Sequence, residues 1–310
     1  MSEEKDDDTN TMTMFCASCG VAEVDDVKLK DCDDCDLVRY CSDECQEDHR
    51  PRHEEECKRR AAELKDEILF KQPESSYLGD CPICCLPIPL DPEKSGLYSC
   101  CSKRICKGCH YANRKQGAKR RLLSKCPFCR IVVPETDEQI NEQAMKRIEA
   151  SDPVAICRRG KICHLGGDYK AAFEYFTRAI ALEDVQAHHQ LSMMYREGNG
   201  VEKDENKEHH HAEQAAIGGH PGARHDLACF EWMNGRVDRA AKHWIIAAKL
   251  GCDESLGNVK ALYKCEVVSK EDFAAALRGH KAAVDATKSP QREEAIEFDE
   301  WHAERRSGAV

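Results

Sequence analysis

Between residues 152 and 290 small apolar side chains recur with a period far longer than one helical turn. Ala155, Ala187 and Ala223 open three segments, and Ala179, Ala215 and Ala247 follow 24, 28 and 24 residues later. A new segment begins eight residues after each of these, at Ser255 in the last case. Ala187, Leu191 and Tyr195 share i, i+4, i+8 spacing, as do Ser255, Val259 and Tyr263, so each set lies on one helix stripe. The stretches "HLGGD", "REGNG" and "MNGRVD" divide the units in two. The pattern predicts an all-α solenoid of about four helical pairs over 152–290. One pair cannot bury its own stripe, so pairs must stack. Three units depart from the pattern. Arg159 and Cys163 fall on the first apolar stripe, and Glu231 stands where Tyr195 maps. The fourth unit, "SLGNVKALYKCEVVSKEDFAAALRGHKAA", lacks the glycine turn and reads as a cap.

Upstream, Ile140, Ala144 and Ile148 form one helical stripe behind a Thr136–Gln139 capping-box pattern, giving a connecting helix over 134–151. "KRRAAELKDEILF" reads as a helix and "KQPESSYLGD", broken by Pro73, as a linker, together filling 58–80. Residues 1–14 read as a disordered acidic tail and 291–310 as a charged tail, either a ragged helix or disordered. Neither helical nor strand periodicity explains residues 15–57 and 81–133, where cysteine dominates.

The chain of 310 residues carries 21 cysteines, sixteen of them between Cys16 and Cys129. The start, "MSEEKDDDTN", has the form of no signal peptide, the final "SGAV" offers no lipidation cysteine, and no run approaches a membrane span. An intracellular protein of cytoplasm or nucleus is expected, where paired cysteines hold metal rather than bridge each other. The net charge of −11 argues against nucleic acid as main partner. The basic run Arg114 to Arg121 reads as an exposed loop, with nuclear import as its other use.

The first block pairs Cys16 with Cys19, Cys32 with Cys35, Cys41 with Cys45 and His53 with Cys57, which makes eight ligands for two tetrahedral zinc ions. Three intervening residues put both members of the last two pairs on one helix face, so Ser42 to Cys57 is expected to be helical. About 45 residues cannot bury a sufficient core, and metal supplies the missing stability. This ligand order, with "RYCSDECQ" and "PRHEEEC", resembles a MYND zinc finger. The resemblance implies that Cys16, Cys19, Cys41 and Cys45 take one ion and Cys32, Cys35, His53 and Cys57 the other. It also implies a shallow groove for proline-containing peptides; Arg50 stands where the family usually has tryptophan. No counterpart of the Asn-His-Ser-Cys signature of MYND-bearing lysine methyltransferases occurs.

The second block contains Cys81-x2-Cys84, the adjacent pair Cys100 and Cys101, Cys106-x2-Cys109 and Cys126-x2-Cys129. Its "CPIC" start and "CPFCR" end resemble a RING finger. By that resemblance Cys81, Cys84, Cys106 and Cys109 hold one zinc, and Cys100, Cys101, Cys126 and Cys129 the other. The adjacency of Cys100 and Cys101 departs from the family, and Cys85 and His110 stand as alternatives to Cys101. Sites closed by four thiolates leave no position for water, so zinc here is scaffolding. The resemblance further implies that Ile83, Pro127 and Arg130 contact a ubiquitin-conjugating enzyme. No cysteine stands out as a catalytic nucleophile.

The repeat segments "AHHQLSMMYREGNGVEKD" and "ARHDLACFEWMNGRVDRAAKHWIIAAKLG" resemble Sel-one-like repeats, relatives of the tetratricopeptide repeat, which present an interaction surface to a client protein. The whole combination resembles a multi-module family of unicellular algae. It implies a RING-type ubiquitin-protein ligase that recruits substrates through the first finger and the repeats, or else a non-enzymatic adaptor. His209, His210 and His211 point in different directions and read as a solvated helix face. Cys157, Cys163, Cys229, Cys252 and Cys265, with Trp232 and Trp244, read as packing residues.

Overall fold

The computed structural model describes residues 14–119 and 124–307. The acidic start up to residue 13, the basic residues Arg120 and Arg121, and the last three residues lie outside them. The chain separates into two compact units, residues 1–71 and 72–310. Among the described residues no helix is long and apolar enough to cross a membrane.

The first unit opens with a small antiparallel pair, β1 (Lys30–Asp31) and β2 (Arg39–Tyr40), and continues into α1 (Asp43–Leu69). The Ser42 side chain caps α1 by accepting from the Cys45 N–H at 3.2 Å. The helix expected from Ser42 to Cys57 and the one expected after it are a single element. No glycine or cap residue interrupts it, and surface pairs such as Lys58–Glu54 at 2.6 Å run through the junction. Arg60 grips Asp36 through Nε and Nη2 at 2.8 and 2.9 Å, which ties the helix to the loop between the strands.

The second unit begins with the segment expected as a linker. Tyr77 anchors it: its hydroxyl donates to Gln186 Oε1 at 2.7 Å and its ring stacks on His220 at 4.3 Å. The cysteine module follows, with the hairpin β3 (Ser95–Leu97) and β4 (Arg104–Cys106) leading into α2 (Lys107–Lys119). Residues 114–119 of the basic run continue α2 instead of forming a loop. Next comes α3 (Asp137–Glu149), capped by Thr136, with Ile148 buried. The Gln139 side chain returns to the Glu135 N–H at 2.9 Å, one residue earlier than a capping box requires.

Eight helices then pair off: α4 (Pro153–Leu165) with α5 (Tyr169–Ile180), α6 (Val185–Glu197) with α7 (Glu205–Ile217), α8 (Pro221–Met233) with α9 (Val237–Lys249), and α10 (Asp253–Lys264) with α11 (Lys270–Ala286). The alanines that mark the period have a common role. Ala155, Ala187 and Ala223 donate their N–H groups to the capping side chains Asp152, Asp184 and His220 at 3.1, 2.8 and 3.1 Å. All six landmark alanines are buried, and Ser255 is wholly so. In the first pair Gly160 faces Phe176, where an added Cβ would sit 2.7 Å from the ring. Phe176 is fully buried and cannot give way. Gly160→Ala should therefore cost about 1–3 kcal/mol in denaturant unfolding followed by circular dichroism.

The fourth pair keeps the turn whose glycine the sequence lacks. Glu266 adopts φ 59° where Gly167 and Gly235 adopt 79° and 72°, and the Val267 N–H closes the turn on the Leu262 carbonyl at 3.0 Å. Packing of α10 against α11 supports a left-handed residue that costs roughly 1–2 kcal/mol on its own. Trp244 is in the core as expected, but Trp232 is 46% exposed and Cys265 is exposed, because both lie at the ends of their helices. The three histidines do diverge, yet only His210 faces solvent. His211 meets His188, Nδ1 to Nδ1 at 3.1 Å, and His209 pairs with Glu213 at 3.3 Å.

Residues 290–307 form α12 (Pro290–Ser307), the helical one of the two states expected of the charged tail. It lies against α2. Lys107 pairs with Asp299 and Lys115 with Glu294, while the Tyr111 and Phe298 rings meet at 4.9 Å. Opposite charges on two sparsely apolar helices supply what a hydrophobic stripe usually does.

Candidate metal centres

Three turns with one backbone pattern build the sites. In each, the first cysteine accepts from the N–H four residues later and donates to the carbonyl five residues later. These are Cys16 with Gly20 and Val21, Cys81 with Cys85 and Leu86, and Cys126 with Arg130 and Ile131, all at 2.8–3.1 Å. The fourth residue on is left-handed in every case: Gly20 at φ 75°, Cys85 at 54° and Arg130 at 63°. Tyr98 starts a fourth such turn, with Ser102 at φ 53° and Lys103 closing it at 3.0 Å. Tyr98 thus occupies a first-cysteine position. Cys101 then sits where a second cysteine belongs, and its neighbour Cys100 reaches the same point. This kink is how adjacent cysteines meet one centre.

The turns gather four groups, each with its donor atoms within 4.8 Å of one another. They are Cys16, Cys19, Cys41 and Cys45; Cys32, Cys35, His53 and Cys57; Cys81, Cys84, Cys106 and Cys109; and Cys100, Cys101, Cys126 and Cys129. In both modules the order along the chain interleaves, which braces the module crosswise. Cys85 is exposed at its turn corner, and His110 is occupied with the Tyr98 hydroxyl at 3.1 Å; neither joins a group.

The donor sets fit zinc. Four thiolates about 2.3 Å from a tetrahedral centre stand about 3.8 Å apart. Here Cys32–Cys57 and Cys84–Cys106 are 3.8 Å apart, Cys41–Cys45 and Cys101–Cys126 3.6 Å, and Cys19–Cys41 3.5 Å. All lie far beyond the roughly 2.05 Å of a disulfide, and every cysteine is free. Burial opposes the charge on Cys81, but N–H groups of Cys106, Cys84 and Ile83 prevail and draw its pKa down to about 7. Cys16 falls to about 6 in the same way, its burial outweighed by N–H groups of Cys19, Cys41 and Ser18. Burial and the neighbouring Cys106 push Cys109 upward. Crowded thiols resist ionising together, and a divalent cation lets all of them ionise.

The expected enzyme-contact residues lie on two turns. Ile83 is 43% exposed within the Cys81 turn, Arg130 is exposed at the corner of the Cys126 turn, and Pro127 beside it is half-buried. On the first finger, Arg50 lines a cleft of about 620 Å³ with Asp33, Asp34, Asp43, Glu47 and Glu54.

Two features have no signal in the linear pattern. His225, Cys252 and Glu254 gather within 4.8 Å, with Ser255 Oγ 2.9 Å from His225 Nδ1; three donors leave a tetrahedral ion one ligand short. Arg292 on α12 reaches the turn at Cys81 from more than 200 residues away, with Nη2 3.2 Å from Cys84 Sγ.

Residues 16–57 match the family model of the MYND finger. No curated protein matches the chain. Among solved structures, a Sel1 repeat protein from Oxalobacter formigenes is similar at 25% identity and a TM-score of 0.42, over 50% of this chain and 66% of that one. The antigen c5321 of uropathogenic Escherichia coli, with an SLR fold, is similar at 21% identity and a TM-score of 0.39, over 56% of this chain and 37% of that one. The chain therefore spans less than two thirds of either. Its first cysteine block is a MYND-type finger by family match and ligand order.

Proposed function

We propose that the protein is a RING-type ubiquitin-protein ligase. The second cysteine module receives a ubiquitin-conjugating enzyme, while the first finger and the helical pairs hold the substrate. The observation that carries this reading is the backbone at Arg130. A left-handed corner costs a residue other than glycine roughly 1–2 kcal/mol. The equivalent corner of the first finger uses Gly20, yet here an exposed arginine is kept. Cys85 and Glu266 share this backbone, so the exposed arginine directly after the last ligand cysteine, more than the strain, points to a use for the side chain. The guanidinium fork can hydrogen-bond two partners at once, and holding a thioester in one pose raises the rate of attack by a substrate lysine. Ile83 and Pro127 supply apolar contact. Zinc contributes shape alone, since both sites are closed by four protein ligands.

The cleft around Arg50 supports a proline-containing peptide with basic flanks as the first finger's ligand. Its five carboxylates outnumber Arg50 and Lys58 and favour cations, and Tyr40 also lines the cleft.

The test is autoubiquitination across a panel of conjugating enzymes, with Arg130→Ala and Arg130→Gly beside the parent. Both variants should lose chain formation by about tenfold or more, the worth of one charge-assisted contact. Arg130→Gly should keep full zinc and gain stability. A parent inactive with every conjugating enzyme leaves the second reading, an adaptor without catalytic role, for which the free cleft on the first finger and the helical pairs suffice.

A further inference from the structure

Arg292 is 5% exposed, and among the described residues no carboxylate pairs with it. A buried guanidinium without counter-charge is costly, so its surroundings must supply one. Its Nη1 donates to the Pro87 and Thr287 carbonyls at 2.8 and 2.7 Å. Its Nη2 donates to the Leu86 carbonyl at 3.1 Å and to Cys84 Sγ at 3.2 Å. Among these partners only the sulfur can carry a negative charge, as a metal-bound thiolate does. Three members of its group are closed to solvent, Cys81 and Cys106 fully and Cys109 at 3% exposed, while Cys84 itself is partly exposed. Four thiolates around one divalent ion carry a net charge of −2, itself unfavourable in such a place.

The backbone is arranged to permit the approach. Gly108 of α2 lies under α12, where an added Cβ would sit 2.9 Å from the Arg292 nitrogen and Cα. Gln291 Nε2 donates to the Gly108 carbonyl at 3.3 Å. The ion pairs Lys107–Asp299 and Lys115–Glu294 hold the rest of the helix in place.

We infer that α12 is a structural part of the second cysteine module, and that Arg292 is a positioning residue that holds the turn at Cys81 and neutralises part of the charge of its zinc–thiolate centre. The module is therefore discontinuous: its last piece comes from beyond the helical pairs. Loss of the C-terminal helix then weakens metal retention without removing a single ligand.

The test measures zinc release from the full chain to a chromogenic chelator for Arg292→Met and Arg292→Lys beside the parent. Outer partners of metal ligands are typically worth 10–100-fold in affinity. In Arg292→Met, which keeps bulk but no donor, the most labile zinc should leave about 10–100-fold sooner. Release at the parent rate from all sites would overturn the inference. Arg292→Lys keeps charge without the planar fork, and it remains informative if the methionine variant fails to fold. With cadmium-113 in place of zinc, its spectrum should show the resonance of one site displaced from the parent position. Four unmoved resonances would show that the guanidinium does not touch the metal centre.

Discussion

Zinc stripped from the protein by excess chelator takes the fold of both cysteine modules with it and leaves the helical pairs standing. The cores decide this. In the first finger the buried cluster is Cys16, Cys32, Cys35, Tyr40 and Cys57, so Tyr40 is the one member that is not a ligand. In the second module, Ile88, Tyr98 and Ile105 are joined by four ligand cysteines. The two clusters of the helical pairs contain no member of the four metal groups. Each structural zinc stabilises small fingers by an apparent ~10–16 kcal/mol, far more than those few side chains can supply. Elemental analysis before treatment should give four zinc ions per chain. After it, the seven and eight ligand cysteines of the two modules should become reactive to a thiol reagent, while far-ultraviolet circular dichroism keeps most of its helical signal, the share of the helical pairs. Thiols still shielded in the metal-free protein would remove the premise. Two zinc ions per chain would leave one module without metal; five would place one at His225, Cys252 and Glu254.

The second large effect is expected at the third helical pair. Glu231 is 1% exposed and is held by Arg236 and by Arg239 Nε at 3.0 Å. The arginines keep 45% and 29% of their side-chain surface in water. Removing the buried partner therefore differs from removing the exposed ones. Arg236→Ala with Arg239→Ala strands a carboxylate in the interior and should cost about 3–5 kcal/mol. Glu231→Leu leaves two arginines that can turn to solvent, and should cost much less or nothing. Denaturant unfolding of the two proteins, read by circular dichroism, makes the comparison. Equal losses would mean that the pairing itself, and not the desolvated carboxylate, governs the site.

The periodic parts of the chain were readable in advance. The alanine landmarks lie buried in each pair, and three of them meet the capping side chains of their helices, a local arrangement that spacing can encode. The metal groups were readable for a similar reason: two cysteines on one tight turn can share an ion whatever surrounds them. The turn at Tyr98 was harder, because its first position holds a tyrosine and only the left-handed Ser102 betrays the pattern. Glu231 breaks the apolar stripe because two arginines, five and eight residues further on, converge on it.

By itself the sequence marked the closely spaced cysteines that the four groups draw on and where the helices pair, since both depend on neighbours a few residues apart. Only the tertiary structure decided that the segment at Tyr77 is pinned to the helical pairs and that the charged C-terminal residues close the second module through Arg292. Those contacts join positions 109 and 208 residues apart, and no periodicity along a chain can record a partner met only once.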